Sequence, residues 1–343
     1  MDLNLIFIFL LSSLITLISI IILLPIARKL KLVDIPSKRK SHLGNVPLIG
    51  GLSILMGVYI STSGSLIDDN IFLTYMVSAF FILILGLIDD FYPLSPKIRL
   101  AIQTVIILLT LELTGLKFDT LGHSFGLKTQ INLGLFAYPV TVLGVLLVTN
   151  AFNLMDGADG VTGILAILAL SVIFLIEILS LNINSNPLIL ALIGSLIPFL
   201  SFNLIKSKNK IFLGDSGSLF LGFSISFLLL YEIQANKSIS PPFALWILAI
   251  PIFDVCAVMI FRFKNSRSLF KPDRSHLHHF LQRLGLNNTQ VVLSIFCLVS
   301  LLLLLGFFID SHFRSLSFPI FLLFLFLYIW FRSYSKYSRY NSE

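Results

Sequence analysis

Long apolar runs separated by short polar connectors repeat along almost the whole chain. Eleven such runs are present, at about 4–26, 48–66, 71–88, 98–116, 134–151, 160–181, 187–205, 216–233, 242–261, 290–310 and 316–332. Each is close to the roughly 20 apolar residues that cross a hydrocarbon layer as a helix. A helix also satisfies its own backbone hydrogen bonds where no water is available. The pattern therefore predicts an all-α polytopic membrane protein of about 11 transmembrane helices, in a single integral membrane domain over residues 1–343. The first run lacks a basic start and a small-x-small cleavage site and is too long for a signal peptide, so it is expected to be retained as a span. The Gly-rich stretch Lys117–Leu133, ahead of the fifth run, is where a short hairpin outside the membrane is expected.

Lys and Arg alternate sharply between connectors. Arg28–Lys40, Lys97 with Arg99, Lys206–Lys210, Arg262–Arg283 and the tail after Phe331 hold 20 of the 24 basic residues. The opposite set holds Lys117, Lys128, Lys237 and Arg314. The basic-rich side is read as cytoplasmic, which places the N-terminus outside and the C-terminus inside and suits an odd number of spans.

Composition agrees with lipid as the main solvent. Of 343 residues, 57% are hydrophobic and 12% charged, against about 25% charged in a soluble domain. The net charge of +7 is accounted for by topology and by attraction to anionic headgroups, so no nucleic-acid partner is expected. Cys256 and Cys297 both lie within apolar runs and form no metal-binding spacing or disulfide framework. There is no internal repeat, no low-complexity region and no separate soluble domain; the tail from Ser333 to Glu343 reads as a solvated end.

The acids carry the chemistry. Asp89 and Asp90 end the third run, Asp156 and Asp159 follow the fifth, Asp215 opens the eighth, Asp254 lies in the cytoplasmic half of the ninth, and Asp273 falls in the large loop after it. Carboxylates close to hydrocarbon are costly and point to function. Glu112, Glu177 and Glu232 all fall near the outer ends of their runs. A transporter would keep ionisable groups and broken helices near the midplane; here they gather at one face, where membrane meets cytosol. A non-catalytic scaffold leaves that concentration of Asp and His unexplained.

Local motifs sharpen this. The pair Asp89-Asp90 is either a solvated turn or a site in which a cation or phosphate chemistry offsets two like charges. The similar pair Asp68-Asp69 follows Ser-Gly-Ser on the outer side and reads as a solvated loop. Asn150-Ala-Phe-Asn153-Leu-Met-Asp156-Gly157-Ala-Asp159-Gly160 is denser than a helix cap requires, and its glycines allow tight turns and close approach of a ligand. A nucleotide sugar, with or without a metal, suits it. Within Phe212-Leu-Gly214-Asp215-Ser-Gly217-Ser218, Asp215 either caps a helix or holds Mg²⁺ against a phosphate drawn to the helix start. Half of the six histidines fall in Asp273-Arg274-Ser-His276-Leu-His278-His279. Without cysteines and at this spacing they do not form a zinc motif; beside Lys271 and Arg274 they form a donor cluster for phosphate oxygens.

Taken in order, these blocks resemble the polyprenyl-phosphate N-acetylhexosamine-1-phosphate transferases, a branch of the glycosyltransferase 4 family. The resemblance runs from Ser41-His42-Leu-Gly44-Asn-Val-Pro47-Leu-Ile-Gly50-Gly51 through Asp89-Asp90, Asn153–Gly160, Gly214-Asp215, Pro251 with Asp254, to the histidine loop. The related phospho-MurNAc-pentapeptide transferases carry a block more like Pro-x-His-His-His. The present loop looks more like the branch that primes O-antigen, enterobacterial common antigen or teichoic acid linkage units, in lipopolysaccharide and cell-wall biogenesis.

The resemblance implies UDP-N-acetylhexosamine, most simply UDP-GlcNAc, as donor and undecaprenyl phosphate as acceptor. It implies Mg²⁺ as cofactor with Mn²⁺ as a substitute, a place in the bacterial cytoplasmic (inner) membrane with the site facing the cytoplasm, and is compatible with a homodimer. The cytoplasmic loops at about 27–47, 89–97, 152–159, 206–215 and 262–289 are expected to form the active site. Asp215 is implied as the principal Mg²⁺ ligand. Asp89 and Asp90 either orient or deprotonate the lipid phosphate or complete the metal shell, with Asp90 the second ligand. Asn153, Asp156 and Asp159 are assigned to the uridine and sugar, Phe212 to stacking, and Arg274, His276, His278 and His279 to the diphosphate. Asp254 is given a supporting hydrogen bond. Both a single displacement and a phospho-aspartate route remain open at this point.

Overall fold

The computed structural model describes residues 3–35, 44–66, 70–126, 129–180, 186–205, 207–266, 268 and 275–340, with side chains up to residue 333. Thirteen α-helices account for nearly all of them: α1 (Leu3–Leu30), α2 (Gly50–Leu66), α3 (Asn70–Phe91), α4 (Pro96–Thr114), α5 (Ala137–Met155), α6 (Val161–Leu179), α7 (Pro187–Leu204), α8 (Gly214–Gln234), α9 (Pro241–Ile247), α10 (Ala249–Lys264), α11 (Leu277–Arg283), α12 (Asn288–His312) and α13 (Arg314–Tyr340). Two short antiparallel hairpins complete the chain. One pairs β1 (Val33–Asp34) with β2 (Val46–Pro47), and the other pairs β3 (Thr120–His123) with β4 (Gln130–Asn132). The second is a hairpin in the Gly-rich stretch where one was expected.

Helix starts follow local chemistry. Ser95, Asn186 and Ser240 each stand before a proline at the first helical position and accept a hydrogen bond from a backbone N–H of the first turn. Asn287 and Gln290 form a reciprocal capping box at the head of α12. Gly115 ends α4 in the left-handed region that glycine tolerates.

Each apolar run falls on one helix, except the ninth, which falls on α9 and α10 and bends by 78° between them. Among the described residues, eight helices are long and apolar enough to cross a membrane, and the bent pair makes up to nine. The remaining two runs lie on α2, whose 17 residues extend about 26 Å, and on α4, which carries Lys97, Arg99, Gln103 and Glu112. The protein is thus an all-helical, multi-pass membrane protein.

Helix α8 is the axis of the bundle. Of its most apolar window, 94% is buried, against 28% for α1, 33% for α12 and 11% for α13. Neighbours approach it closely because it presents Ser216, Gly217, Ser218 and Gly222. A Cβ on Gly51 would lie 2.4 Å from Gly217 Cα, and one on Gly222 would lie 2.8 Å from Thr149 Cα. Apolar side chains from α2, α3, α5 and α6 fill the space around it.

The basic connectors converge at one end. Arg28 donates to the Lys208 carbonyl, Phe212 N–H to Pro47 O at 2.9 Å, and Gly50 N–H back to Phe212 O at 2.9 Å. Asp68 and Asp69 lie outside the described residues, as do Lys271, Asp273 and Arg274.

Candidate active site

The site begins where α3 runs into α8. Gly86, one turn before Asp90, lets the two backbones touch: a Cβ there would lie 2.5 Å from Ser216 Cα. This contact sets Asp90 over the start of α8, where its two oxygens accept the N–H groups of Asp215 at 2.8 Å and Ser216 at 3.1 Å. The sequence leaves this helix start either capped by Asp215 or drawing a phosphate. In the structure the Asp90 carboxylate takes up two of its amides, so Asp90 fixes the backbone that carries Asp215.

Asp89 turns the other way. It is buried and accepts from Leu94 N–H at 2.6 Å and from the Arg99 guanidinium at 2.8 Å. Arg99 also lies 3.8 Å from Asp215 Oδ2. In the sequence Arg99 reads only as a topology signal, although its position nine residues after Asp90, across a short loop, hints that it returns to the acids.

Asp215 accepts from Asn153 Nδ2 at 2.8 Å through Oδ1, and Asn153 also reaches Ser218 Oγ at 3.0 Å. Its side chain remains 41% exposed, more open than its carboxylate neighbours Asp89 and Asp159.

The turn between α5 and α6 closes the opposite side. Gly160, at φ +80°, adopts a conformation that other residues avoid, and its N–H donates to Asn203 Oδ1 at 2.7 Å. Asn203 in turn donates to Ile211 O at 2.9 Å, which ties the turn to the segment leading into α8. Within it, burial pushes the Asp156 carboxyl up to about 8; the Thr162 hydroxyl offsets part of the shift, and the charges of Asp215, Asp90 and Asp159 add to it. Asp159 is paired with Lys210 at 2.5 Å, and its carbonyl accepts from Asn288 at 3.2 Å. Lys210 Nζ also stands 5.2 Å from the centre of the Phe212 ring, so one cation links Asp159 to the expected stacking surface.

The histidines arrive on α11. His276 Nδ1 lies 2.8 Å from the fully buried Asp254, whose other oxygen accepts from Leu277 N–H at 2.9 Å. His278 is 1% exposed and, among the described residues, has no hydrogen-bond partner on either ring nitrogen. It packs on Gly157, where a Cβ would lie 2.1 Å from Nε2. Burial holds its imidazole well below the usual range, and His279, His276 and Arg332 add to the effect; the ring is neutral at physiological pH. His279 lies against His278 with ring centres 4.2 Å apart and contacts Gln282 at 3.1 Å. The structure thus brings together Asp89, Asp90, Asn153, Asp156, Asp159, Phe212, Asp215, His276, His278 and His279. Arg274 falls outside the described residues.

Among the described residues, no three His, Cys, Asp or Glu side chains form a ready-made metal cage. Mg²⁺ does not require one, since it keeps several waters and binds through one or two carboxylates plus substrate phosphates. The part-exposed Asp215 carboxylate, amid acids whose charges raise Asp156, is a hard-oxygen donor that fits such an ion.

The sequence model of glycosyl transferase family 4 matches residues 72–232. The chain is 37% identical over 325 residues to the probable undecaprenyl-phosphate N-acetylglucosaminyl 1-phosphate transferase of Bacillus subtilis (strain 168), covering 93% of this chain and 90% of the relative. It is 34% identical over 284 residues to the undecaprenyl-phosphate alpha-N-acetylglucosaminyl 1-phosphate transferase of Yersinia pestis, covering 82% and 78%. The protein of the same name in Escherichia coli (strain K12) is 34% identical over 311 residues, covering 88% and 84%. Sharing about a third of its residues with these proteins over most of both chains, this protein belongs to glycosyl transferase family 4.

Proposed function

We propose that the protein transfers GlcNAc-1-phosphate from UDP-GlcNAc to undecaprenyl phosphate and releases UMP, starting a lipid-linked cell-envelope glycan. The names of its relatives supply the substrates. The observation that carries the reading is the open Asp215 carboxylate, held by Asn153 and flanked by Arg99 where the helices α3, α5 and α8 meet.

A phosphate oxygen of the lipid attacks the β-phosphorus of the donor. The bond from that phosphorus to the oxygen bridging the two phosphates breaks, and UMP leaves with that oxygen. The lipid phosphate has a second pKa near 6, so at neutral pH it is largely dianionic and needs little help from a base. The difficulty is bringing two anions together, and alignment with charge compensation lowers it. When bound, Mg²⁺ supplies charge neutralisation of the diphosphate, with Asp215 its protein ligand and Asp90 next to it. Arg99 offers a fork of donors to phosphate oxygens. Asp156, which keeps its proton at neutral pH in the substrate-free protein, can donate to the donor substrate and Asn153 Oδ1 can accept from it, while Lys210 and Phe212 frame the place for a base. The neutral His278 presents a donor toward the turn that carries Asp156. These roles favour a single displacement, because Asp89 and Asp90 are each committed to hydrogen bonds.

The same reading sets eleven crossings, with α2 and α4 counted among them, the N-terminus outside, and the site on the cytoplasmic face of the inner membrane. The test is direct. Purified protein in detergent, given Mg²⁺, undecaprenyl phosphate and a panel of UDP-N-acetylhexosamines, should yield UMP and a lipid product heavier by one N-acetylhexosamine phosphate, with UDP-GlcNAc the preferred donor. No lipid product with any member of the panel would reject the reaction.

A further inference from the structure

Helix α13 lies at the edge of the bundle, with only 11% of its span window buried. Its inward contacts form one stripe at helical spacing: Ser317, Phe321, Phe324, Tyr328 and Arg332. Ser317 accepts from the Trp246 indole at 3.3 Å. Phe321 and Phe324 pack on Trp246, with ring centres 5.5 and 5.6 Å away. The last two members are polar and end on the histidine segment. Tyr328 OH donates to Asp254 at 3.1 Å, onto the oxygen that also holds Leu277 N–H. Arg332, 6% exposed, donates to the Ser275 carbonyl, lies 3.8 Å from Asp254 and sits 4.6 Å from the centre of the Phe280 ring.

We propose that Tyr328 and Arg332 are positioning residues: through Asp254 and the Ser275 carbonyl they hold the His276–His279 segment against the Asp156–Gly157 turn and thereby set the donor-binding geometry. The proposal rests on the transferase reading above. Its physical basis is the lack of slack at His278, which meets Gly157 with no room for a methyl group. A small rotation of α11 moves that ring off the turn. Helix α11 is only seven residues long, too short to hold itself, so its orientation depends on what grips its start. Asp254 grips His276 and Leu277; Arg332 grips Ser275 and covers Phe280.

Removing Arg332 leaves Asp254 with three donors, from His276, Leu277 and Tyr328, so the variant is expected to fold. The test uses the full-length protein and the variants Arg332→Gln, Arg332→Lys, Tyr328→Phe and Phe326→Leu, the last exposed to lipid and serving as control. Two measurements are made: backbone amide exchange across residues 277–283, and initial rates of UMP release with each substrate varied. Arg332→Gln should speed exchange of that segment by about tenfold or more and raise KM for UDP-GlcNAc about tenfold, with kcat and the KM for the lipid changed about twofold at most. Arg332→Lys should recover most of both effects, Tyr328→Phe should show a smaller version, and Phe326→Leu should match the parent. Unchanged exchange and kinetics in Arg332→Gln would overturn the proposal. So would equal losses on both substrates in Arg332→Gln and Arg332→Lys, which would mark a general loss of structure. If the parent protein releases no UMP, the transferase reading fails, and the exchange measurement still decides whether α13 holds the histidine segment.

Discussion

The Arg99 guanidinium stands between two carboxylates of the site, 2.8 Å from Asp89 and 3.8 Å from Asp215. Asp89 is buried and draws one of its two hydrogen-bond donors from this cation, so removing Arg99 leaves a buried acid without its cationic partner. Arg99→Met should destabilise the folded protein by about 2 kcal/mol, less than for a fully buried pair because Arg99 is partly exposed. Arg99→Lys keeps the charge and loses the fork, so it should recover most of the stability but little of the activity. Thermal unfolding in detergent alongside initial rates distinguishes the two; full activity in Arg99→Lys would mean that only the charge matters.

Asp90 and Asp215 are neighbours with different tasks. Both oxygens of Asp90 bind backbone N–H groups of α8, whereas Asp215 is the open carboxylate. Asp90→Ala should therefore cost about 1–2 kcal/mol of stability, as expected for a lost helix cap, together with activity. Asp90→Asn keeps one acceptor and should lose less stability than Ala. Unfolding midpoints for the pair settle this, and identical midpoints for parent and Asp90→Ala would remove the capping role.

Two glycines offer an internal comparison. A methyl group on Gly86 would press on the Ser216 backbone, while one on Gly64 would meet nothing within 4 Å. Gly86→Ala should destabilise by about 1–3 kcal/mol and lower activity by displacing Asp90 from α8. Gly64→Ala, within helix α2, should be neutral or stabilising by up to about 1 kcal/mol. Should both behave alike, the close crossing of α3 and α8 is not what Gly86 provides.

Burial gives Asp156 a pH signature. Its carboxyl is raised to about 8, so between the ordinary carboxylate range and about 8 the folded protein keeps a proton that the unfolded chain has released. The unfolded state binds fewer protons across that window, so this residue makes stability fall as pH rises through it, and its effect levels off above. Asp156→Asn cannot ionise and should flatten that part of the slope. Unfolding temperatures measured from about pH 5 to about pH 8.5 in the absence of substrate and Mg²⁺ provide the comparison; parallel curves for parent and variant would mean that Asp156 is ionised in the fold.

Much of this was legible in the chain because lipid imposes a strong pattern. The apolar runs located the helices, and the alternation of Lys and Arg singled out the connectors that now meet around Asp215. Other features depend on contacts between distant segments. Nothing near Asp90 announces that its oxygens will cap a helix that starts 124 residues later, at Gly214. The bend at Leu248 divides a continuous apolar run, and its one signal is Pro251 in the first turn of α10, which cannot donate to the Ile247 carbonyl. Helix α11 is too short to be read by periodicity, and Arg332 looked like one more basic residue in a tail. The partner of Lys210 was hidden for the same reason: this cation serves an acid on another turn.

The central claim is that Asp215 presents a divalent cation to the donor diphosphate at this junction of helices. Release of UMP from UDP-GlcNAc and undecaprenyl phosphate, titrated with Mg²⁺ for the parent and for Asp215→Asn of equal thermal stability, tests it most directly. A saturating Mg²⁺ response in the parent and a loss of at least about a hundredfold in the variant at every Mg²⁺ concentration are predicted. Near-parental turnover by Asp215→Asn, or turnover in the parent that persists in excess chelator, would contradict it.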